Sequence, residues 1–104
     1  EIAIQAVYPD SRNAFAFEDL LKEEKLEPWR VREVWVMGHP TPDHFVDVTK
    51  TFERKLSALK AHHSQTSHME NLESLIKEWG ERIAGIAGFA AGTYAEGFKI
   101  VNTD

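Results

Sequence analysis

The apolar stripe that runs from Met69 to Ile86 constrains the fold of this chain more than any other feature of its sequence. Its members recur at spacings of three and four residues, which predicts one amphipathic helix of about five turns. Ser67, with Glu70 three residues later, forms a capping-box pattern and predicts that the helix begins there. Gly88 interrupts the stripe and predicts its end. Because a helix of this length is stabilised mainly by packing, the rest of the chain must supply its partners.

A second helix and two strands are predicted as those partners. The helix lies within Asp47 to Gln65 and begins at Thr49 as its cap. Its apolar stripe consists of Val48, Phe52, Leu56 and Leu59. Val34 to Met37 is a continuous β-favouring run, typical of an interior strand that is covered on both faces in a layered α/β domain. Tyr94 to Val101 predicts another strand, so the sequence predicts an α/β fold in which two long helices pack on a few strands.

The N-terminal third of the chain carries weaker patterns. Glu1 to Val7 predicts the last turns of a helix, and Phe15 to Glu23 predicts a short surface helix. The chain opens inside the first of these patterns, on Glu1 instead of Met, so we expect a fragment or a processed product. No linker or repeat divides the sequence, and we expect residues 1–104 to form one unit.

Composition excludes several classes of function. The 104 residues are 42% hydrophobic and 28% charged, with a net charge of −5, and the basic residues are scattered among acids. A nucleic-acid partner is therefore not expected. No apolar run reaches the roughly 18 to 20 residues that cross a bilayer, so no membrane partner is expected either. Cysteine is absent, which excludes disulfides and fits the cytoplasmic location that we expect.

Five histidines, at positions 39, 44, 62, 63 and 68, are the first candidates for chemistry. No two share the i, i+4 spacing of a helical metal site, and we assign no metal ligand within the chain. His39 and His68 are interpreted as ordinary loop or cap residues. His44 follows the predicted strand, and either lines a pocket or lies on the surface. The helical phase directs His63 to the core and His62 to its flank, although a helix end at Ala61 would undo that phase.

Two carboxylates belong to the same region of interest. Asp47 precedes the central helix and has two open interpretations, as a residue that caps the helix end or as one that lines a site. Glu96 stands between small residues in a predicted apolar strand. A carboxylate buried there would need a partner.

Several short motifs, taken together, resemble a known enzyme family. They are Val7-Tyr8-Pro9 with Arg12-Asn13, Val31 to Trp35, Val46-Asp47-Val48-Thr49, Lys55 with Ala58-Leu59, His62-x-Ser64-Gln65, and Tyr94-Ala95-Glu96-x-Phe98. In this order they are similar to the C-terminal half of the PIG-L/LmbE-like deacetylases, over nearly the whole chain. The resemblance implies a Rossmann-like fold and hydrolysis of N-acetylated amino sugars, or related amides, by a water that a single zinc ion activates.

The same resemblance assigns site residues. His62 matches the histidine of the family's AHxSQ motif and is expected to be catalytic. His44 and Asp47 are expected to bind substrate because of their positions, after the predicted strand and before the central helix. The family's base and metal ligands come from a His-Pro-Asp-Asp motif and a His-x-x-His motif, and both are missing from this sequence. Zinc is therefore implied for a full-length family member, and we expect no cofactor to be bound by this chain alone.

The sequence thus leaves two functions to compare. The first is the C-terminal portion of a zinc-dependent N-deacetylase, inactive alone, whose partners are a small N-acetylated substrate and either the missing N-terminal half or another copy of the chain. The alternative is a non-catalytic α/β module that binds or assembles with a partner and keeps the scaffold without the metal centre.

Overall fold

A computed structural model of the chain describes residues 1–103, which fall into two compact units. One unit comprises Glu1–Trp35 and the C-terminal segment that begins at Ile100, and the other comprises Val36–Lys99. The secondary structure combines helices with one three-stranded sheet, so the mixed α/β class expected from the sequence is confirmed. The elements, in chain order, are α1 (Ile2–Val7), α2 (Glu18–Lys22), β1 (Glu33–Met37), β2 (His44–Asp47), α3 (Phe52–Lys60), α4 (His63–Thr66), α5 (Leu72–Ala87) and β3 (Ala95–Asn102).

The sheet is antiparallel, and its strands lie in the order β1-β3-β2. The last strand is therefore the central one, and it pairs with β2 in a register that sets Val46 opposite Glu96 and Asp47 opposite Ala95. Because consecutive side chains of a strand point to opposite faces, this register decides which residues of β3 share a face.

The prediction that β1 is an interior strand is wrong, because β1 lies at an edge of this sheet. Its side chains alternate in burial: Val34 and Val36 are half-buried, whereas Trp35 is 44% exposed and Met37 is 71% exposed. The Trp35 indole N–H donates a 3.0 Å hydrogen bond to a Glu33 carboxylate oxygen on the same face of the strand. A tryptophan can keep its ring at a surface in this way, which is why an unbroken apolar run did not mean burial on both faces.

The core of the second unit lies between its two longer helices. Phe52 and Leu56 of α3 and Leu72 of α5 are buried, as the two predicted apolar stripes required. The ring of Tyr94, just before β3, packs on the Phe52 ring with 4.5 Å between centroids. Burying side chains of this size contributes roughly 1.5 to 3 kcal/mol each, so this cluster is a major source of stability for the unit.

Helix α5 begins at Leu72, and the prediction of a capping box at Ser67 is wrong. The Ser67 N–H donates to the carbonyl of His63, and its backbone is helical, because Ser67 ends the short helix α4. An N-cap needs a non-helical backbone, so the serine cannot fill both positions. The predicted end at Gly88 is confirmed: its φ is +76°, a left-handed conformation that glycine adopts without a Cβ penalty.

Several hydrogen bonds join distant segments of the first unit. The backbone N–H of Trp29 donates to the Ser11 carbonyl, and the Ser11 hydroxyl donates to the Val7 carbonyl. The Arg12 guanidinium donates to the carbonyl of Thr103. Among residues 1–103, the buried hydrophobic residues all lie in the second unit.

Among residues 1–103, no helix combines the length and the apolar character needed to cross a membrane.

Candidate functional site

The second unit contains a cleft of about 350 Å³, built by four segments that are distant in sequence. They are the turn after β1, one face of α3, the middle of α5 and the first half of β3. This volume lies in the range of pockets that hold small molecules. The cleft is therefore our candidate site.

An ion pair between Lys55 and Glu96 lies in the cleft. The Lys55 ammonium approaches a Glu96 carboxylate oxygen at 2.6 Å, and the two side chains are 32% and 29% exposed. The expectation that Glu96 needs a partner is confirmed. Because both groups are partly withdrawn from water, their attraction is screened less than that of a surface pair. The pair therefore gives the cleft a fixed donor next to a fixed acceptor.

His39 belongs to the same lining as this pair. The turn that carries it begins at Gly38, where φ is +65°. The backbone N–H of Thr41 donates to Nδ1 of the His39 ring at 3.1 Å. In a neutral imidazole, one nitrogen accepts and the other donates, so this bond leaves the ring proton on Nε2. An ordinary loop residue could form this hydrogen bond. The interpretation of His39 as such a residue does not explain why its side chain lines the cleft.

The rest of the lining is largely apolar. Trp79 of α5 lines the cleft and is 53% exposed. The aliphatic and aromatic side chains beside it are those of Leu59, Ile76, Ile83 and Phe98. The cleft thus combines one ion pair and one histidine with a broad hydrophobic surface, the usual composition of a small-molecule site.

Two glycines allow the segments around the cleft to approach closely. A Cβ added at Gly80 of α5 would lie 3.0 Å from the Cβ of Tyr94, and one added at Gly97 of β3 would lie 3.2 Å from the Cβ of Pro42. Both distances are shorter than an ordinary carbon contact of about 3.5 to 4.0 Å. Any larger residue would push the helix or the turn away from the strand.

Asp47 is the last residue of β2, and it bonds to the segment that leads into α3. One of its carboxylate oxygens accepts hydrogen bonds from the hydroxyl and the backbone N–H of Thr49, at 2.6 and 2.9 Å. These bonds to the charged form lower the pKa of Asp47 below its ordinary value of 3.8. The prediction of a Thr49 cap is wrong, because the Thr49 hydroxyl instead accepts from the Tyr94 N–H at 3.0 Å.

The two histidines expected in the site lie elsewhere in the second unit. His44 is half-buried on β2, opposite Phe98. His62 is exposed at the start of α4, where its carbonyl accepts from the N–H groups of Gln65 and Thr66. His63 is exposed as well, so the helical phase that directed it to the core is wrong, since α3 ends at Lys60. The described lining of the cleft includes neither His44 nor Asp47 nor His62, and their assigned roles stay predictions.

Sequence reasoning did not identify Lys55 and Trp79 as site residues, although a signal for Lys55 was present. Lys55 is three residues after Phe52 and four before Leu59, which sets it on the buried face of an amphipathic helix. A lysine on such a face needs an anionic partner or a route to solvent. Lys55 needs an anionic partner and Glu96 needs a cationic one, so the sequence could have predicted an ion pair between them.

The described residues do not fit the zinc ion that the family resemblance implies. Within residues 1–103, no three His, Cys, Asp or Glu side chains are grouped so that they could hold a metal ion. We therefore derive no step through zinc, and assign to these residues only contacts with a ligand.

No protein-family model, curated protein or solved structure matches this chain. The similarity to the PIG-L/LmbE-like deacetylases accordingly rests on the short motifs alone and stays a prediction.

Proposed function

We propose that this chain is the C-terminal, substrate-binding portion of a zinc-dependent N-deacetylase of the PIG-L/LmbE type, which hydrolyses the amide of an N-acetyl amino sugar or a related compound. The observation that carries the proposal is the convergence of motifs that are far apart in sequence. Lys55 pairs with Glu96, which belongs to the Tyr-Ala-Glu motif. Tyr94 of that motif donates its backbone N–H to the hydroxyl of Thr49, which belongs to the Val-Asp-Val-Thr motif. Parts of three of the motifs thus contact one another within the second unit, and this is the support for the proposal.

The chemistry of the cleft suits a substrate with an amide and hydroxyl groups. An ammonium has three donors, and the bond to Glu96 engages one of them. A carboxylate can accept several hydrogen bonds. Lys55 can therefore donate to an acyl oxygen or a sugar hydroxyl while Glu96 accepts from an N–H or O–H of the same molecule. This arrangement orients a substrate and does not by itself cleave an amide.

The catalytic part of the proposal is carried mainly by groups that the described residues do not supply. Metal ligands and a general base would come from the family's N-terminal motifs, and His62 would serve as a donor to the developing oxyanion. A cytoplasmic location belongs to the same proposal.

The test is a fusion protein in which the metal-binding half of a PIG-L/LmbE deacetylase precedes Glu1, assayed for acetate release from N-acetylglucosamine and related N-acyl sugars. We expect turnover in the fusion, and a loss of at least about tenfold in kcat/KM for Lys55→Met and for Glu96→Gln, with zinc content unchanged. Glu73→Gln is the matched control, because Glu73 forms a 2.7 Å pair with Lys77 and does not line the cleft. A folded fusion that binds one zinc ion and releases no acetate would contradict the proposal.

The alternative, a non-catalytic assembly module, is favoured by one observation. Strand β1 lies at an edge of the sheet with Trp35 and Met37 largely exposed, and an apolar edge strand can pair with another chain. Sedimentation distinguishes this function. The assembly function predicts a dimer or larger species, which the substitution Trp35→Lys should dissociate. A monomer at high concentration would exclude assembly through this edge.

A further inference from the structure

The first unit contains a cavity of its own, lined by different residues from those of the cleft. Its volume is about 420 Å³, in the range of pockets that hold small molecules. The loop after α2 forms part of its wall. In this loop, the N–H of Leu26 donates to the carbonyl of Leu20 at 3.0 Å. The N–H of Trp29 donates to the carbonyl of Ser11 at 2.7 Å, so backbone bonds hold the loop against two other segments of the lining.

The described lining of this cavity includes two carboxylates and no lysine, arginine or histidine. Asp10 is half-buried in the turn that follows α1, and Glu27 is exposed in the loop that follows α2. The two carboxylates thus give the lining a negative charge from both of these segments. Such a lining attracts a cationic ligand and repels an anionic one.

The basic side chains of the same stretch of sequence bond to other partners. Lys22 pairs with a carboxylate of its own helix, and the Lys25 ammonium donates to the Lys22 carbonyl at 2.6 Å. The Arg12 guanidinium donates to two backbone carbonyls. These bonds direct all three cations to groups other than the two carboxylates of the cavity. A ligand can therefore supply the positive charge that complements the lining.

The rest of the lining is suited to an apolar group. Phe17 and Trp29 line the cavity, and both are exposed, as are Leu20 and Leu26 beside them in the lining. An aromatic face attracts a cation through its quadrupole, and covering apolar side chains removes their surface from water. The cavity therefore favours a cation that carries an apolar group over a bare ion or a polar cation.

The hydrogen-bonding capacity of the carboxylates selects the kind of cation. A primary ammonium has three N–H donors, whereas a quaternary ammonium has none. Hydrogen bonds between charged groups are roughly twice as strong as neutral ones. Because carboxylates only accept, a primary ammonium matches them in both charge and hydrogen bonding.

We propose that this cavity is a binding site for primary amines that carry a compact aromatic or alkyl group. The ammonium is attracted by Asp10 and Glu27, and the apolar group lies against Phe17 and Trp29. The inference goes beyond the proposed function, because it concerns other residues, in the other unit, and a different class of ligand. It holds whether or not the chain belongs to a deacetylase.

The experiment measures binding of four probes to the chain at pH 7, by titration calorimetry and by amide chemical-shift mapping. The probes are 4-phenylbutylamine, the matching alcohol 4-phenylbutan-1-ol, the matching anion 4-phenylbutanoate, and glucosamine as a polar amine. We expect 4-phenylbutylamine to bind at least about tenfold more tightly than the other three, with shifts at the residues that line the cavity. Equal affinity for the alcohol or the anion, or shifts confined to other residues, would overturn the inference without any variant. Equal affinity for glucosamine would overturn the role of the apolar lining.

Three substitutions separate the contribution of charge from that of apolar contact. Glu27→Lys should weaken 4-phenylbutylamine at least about tenfold and make 4-phenylbutanoate the tighter of the two. Trp29→Ala should weaken the amine and the alcohol by similar factors. Glu24→Gln is the matched control, because Glu24 is an exposed acidic residue of the same segment that does not line the cavity, and it should change the affinity less than about twofold. A Glu27→Lys protein with an unchanged fold, shown by its amide spectrum, that still prefers the amine would refute the role of the carboxylates.

The same spectra test whether another copy of the chain occupies the cavity. Spectra recorded over a range of protein concentrations, without any probe, should show no change at the residues of the lining. Concentration-dependent shifts there that 4-phenylbutylamine does not reverse would assign the cavity to a second copy of the chain and overturn the inference.

Discussion

Replacing Gly80 by alanine probes how closely helix α5 approaches the residues before β3. The added Cβ would lie 3.0 Å from the Cβ and 3.3 Å from a ring carbon of Tyr94. Gly85 of the same helix is the matched control, because a Cβ added there would meet nothing within 4 Å. Both substitutions remove a flexible helical glycine, and only Gly80→Ala creates a steric conflict.

The magnitude follows from these two effects. Exchanging a helical glycine for alanine favours folding by roughly 0.5 to 1 kcal/mol, so Gly85→Ala should raise the free energy of unfolding by about that amount. Overpacking typically costs about 1 to 3 kcal/mol. Tyr94 cannot easily yield, since its N–H bonds to Thr49, its carbonyl accepts from Val48 at 2.8 Å, and its ring packs on Phe52. We therefore expect Gly80→Ala to be less stable than Gly85→Ala by about 1 to 3 kcal/mol.

Urea unfolding followed by tryptophan fluorescence measures this difference, provided that both variants keep the wild-type dependence of the unfolding free energy on urea. A Gly80→Ala protein at least as stable as Gly85→Ala would refute the close approach of α5 to Tyr94 on which the shape of the cleft depends.

Three further predictions concern single residues. Gly88→Ala should lower the free energy of unfolding by about 1 to 2 kcal/mol in the same urea assay, because its φ of +76° disfavours a Cβ. The bonds from Thr49 lower the pKa of Asp47, so the stabilising effect of the Asp47 carboxylate is present above pH 3.8 and is lost as the pH falls through its folded-state pKa. The melting temperature of Asp47→Ala should therefore fall less steeply than that of the wild type as the pH is lowered below 3.8. In the zinc-loaded fusion, His62→Gln alone should reduce turnover by about 10² to 10³ with melting temperature kept, whereas an equal loss in His63→Gln would make His62 a structural residue.

The elements that the sequence predicted well are those in which a local pattern and tertiary packing agree. The stripe through Phe52 and Leu56 predicted a buried helix face, and both residues are buried. Gly88 predicted a helix end, since a left-handed residue closes a helix without reference to distant contacts. In each case, neighbours in sequence supply most of the determining interactions.

The elements that the sequence predicted poorly depend on competing or distant partners. Ser67 and Glu70 had the spacing of a cap, but α4 already uses Ser67 at its own end. The run from Val34 to Met37 had the composition of an interior strand, and strand order is decided by where β3 inserts. Periodicity cannot report that choice, because it describes the faces of a strand and not its neighbours.

The candidate site was predictable only in part, for the same reason. The sequence indicated that Glu96 needs a partner, yet the partner is 41 residues away, on a helix whose orientation only the folded chain determines. Trp79 was predicted as one more member of an apolar stripe. Its 53% exposure and its place in the lining of the cleft are properties of the packing around it.

The pairing of Lys55 with Glu96 depends on the register of β3 against β2, which links the fold to the site. A slip of one residue would turn the Glu96 side chain to the opposite face of the sheet and break the pair. The register is fastened at both ends of the paired segment: Val48 donates to the carbonyl of Tyr94 at 2.8 Å, and Asp43 donates to that of Phe98 at 2.9 Å. These backbone bonds therefore control whether the cleft has its ion pair, although Val48, Tyr94 and Asp43 do not line the cleft.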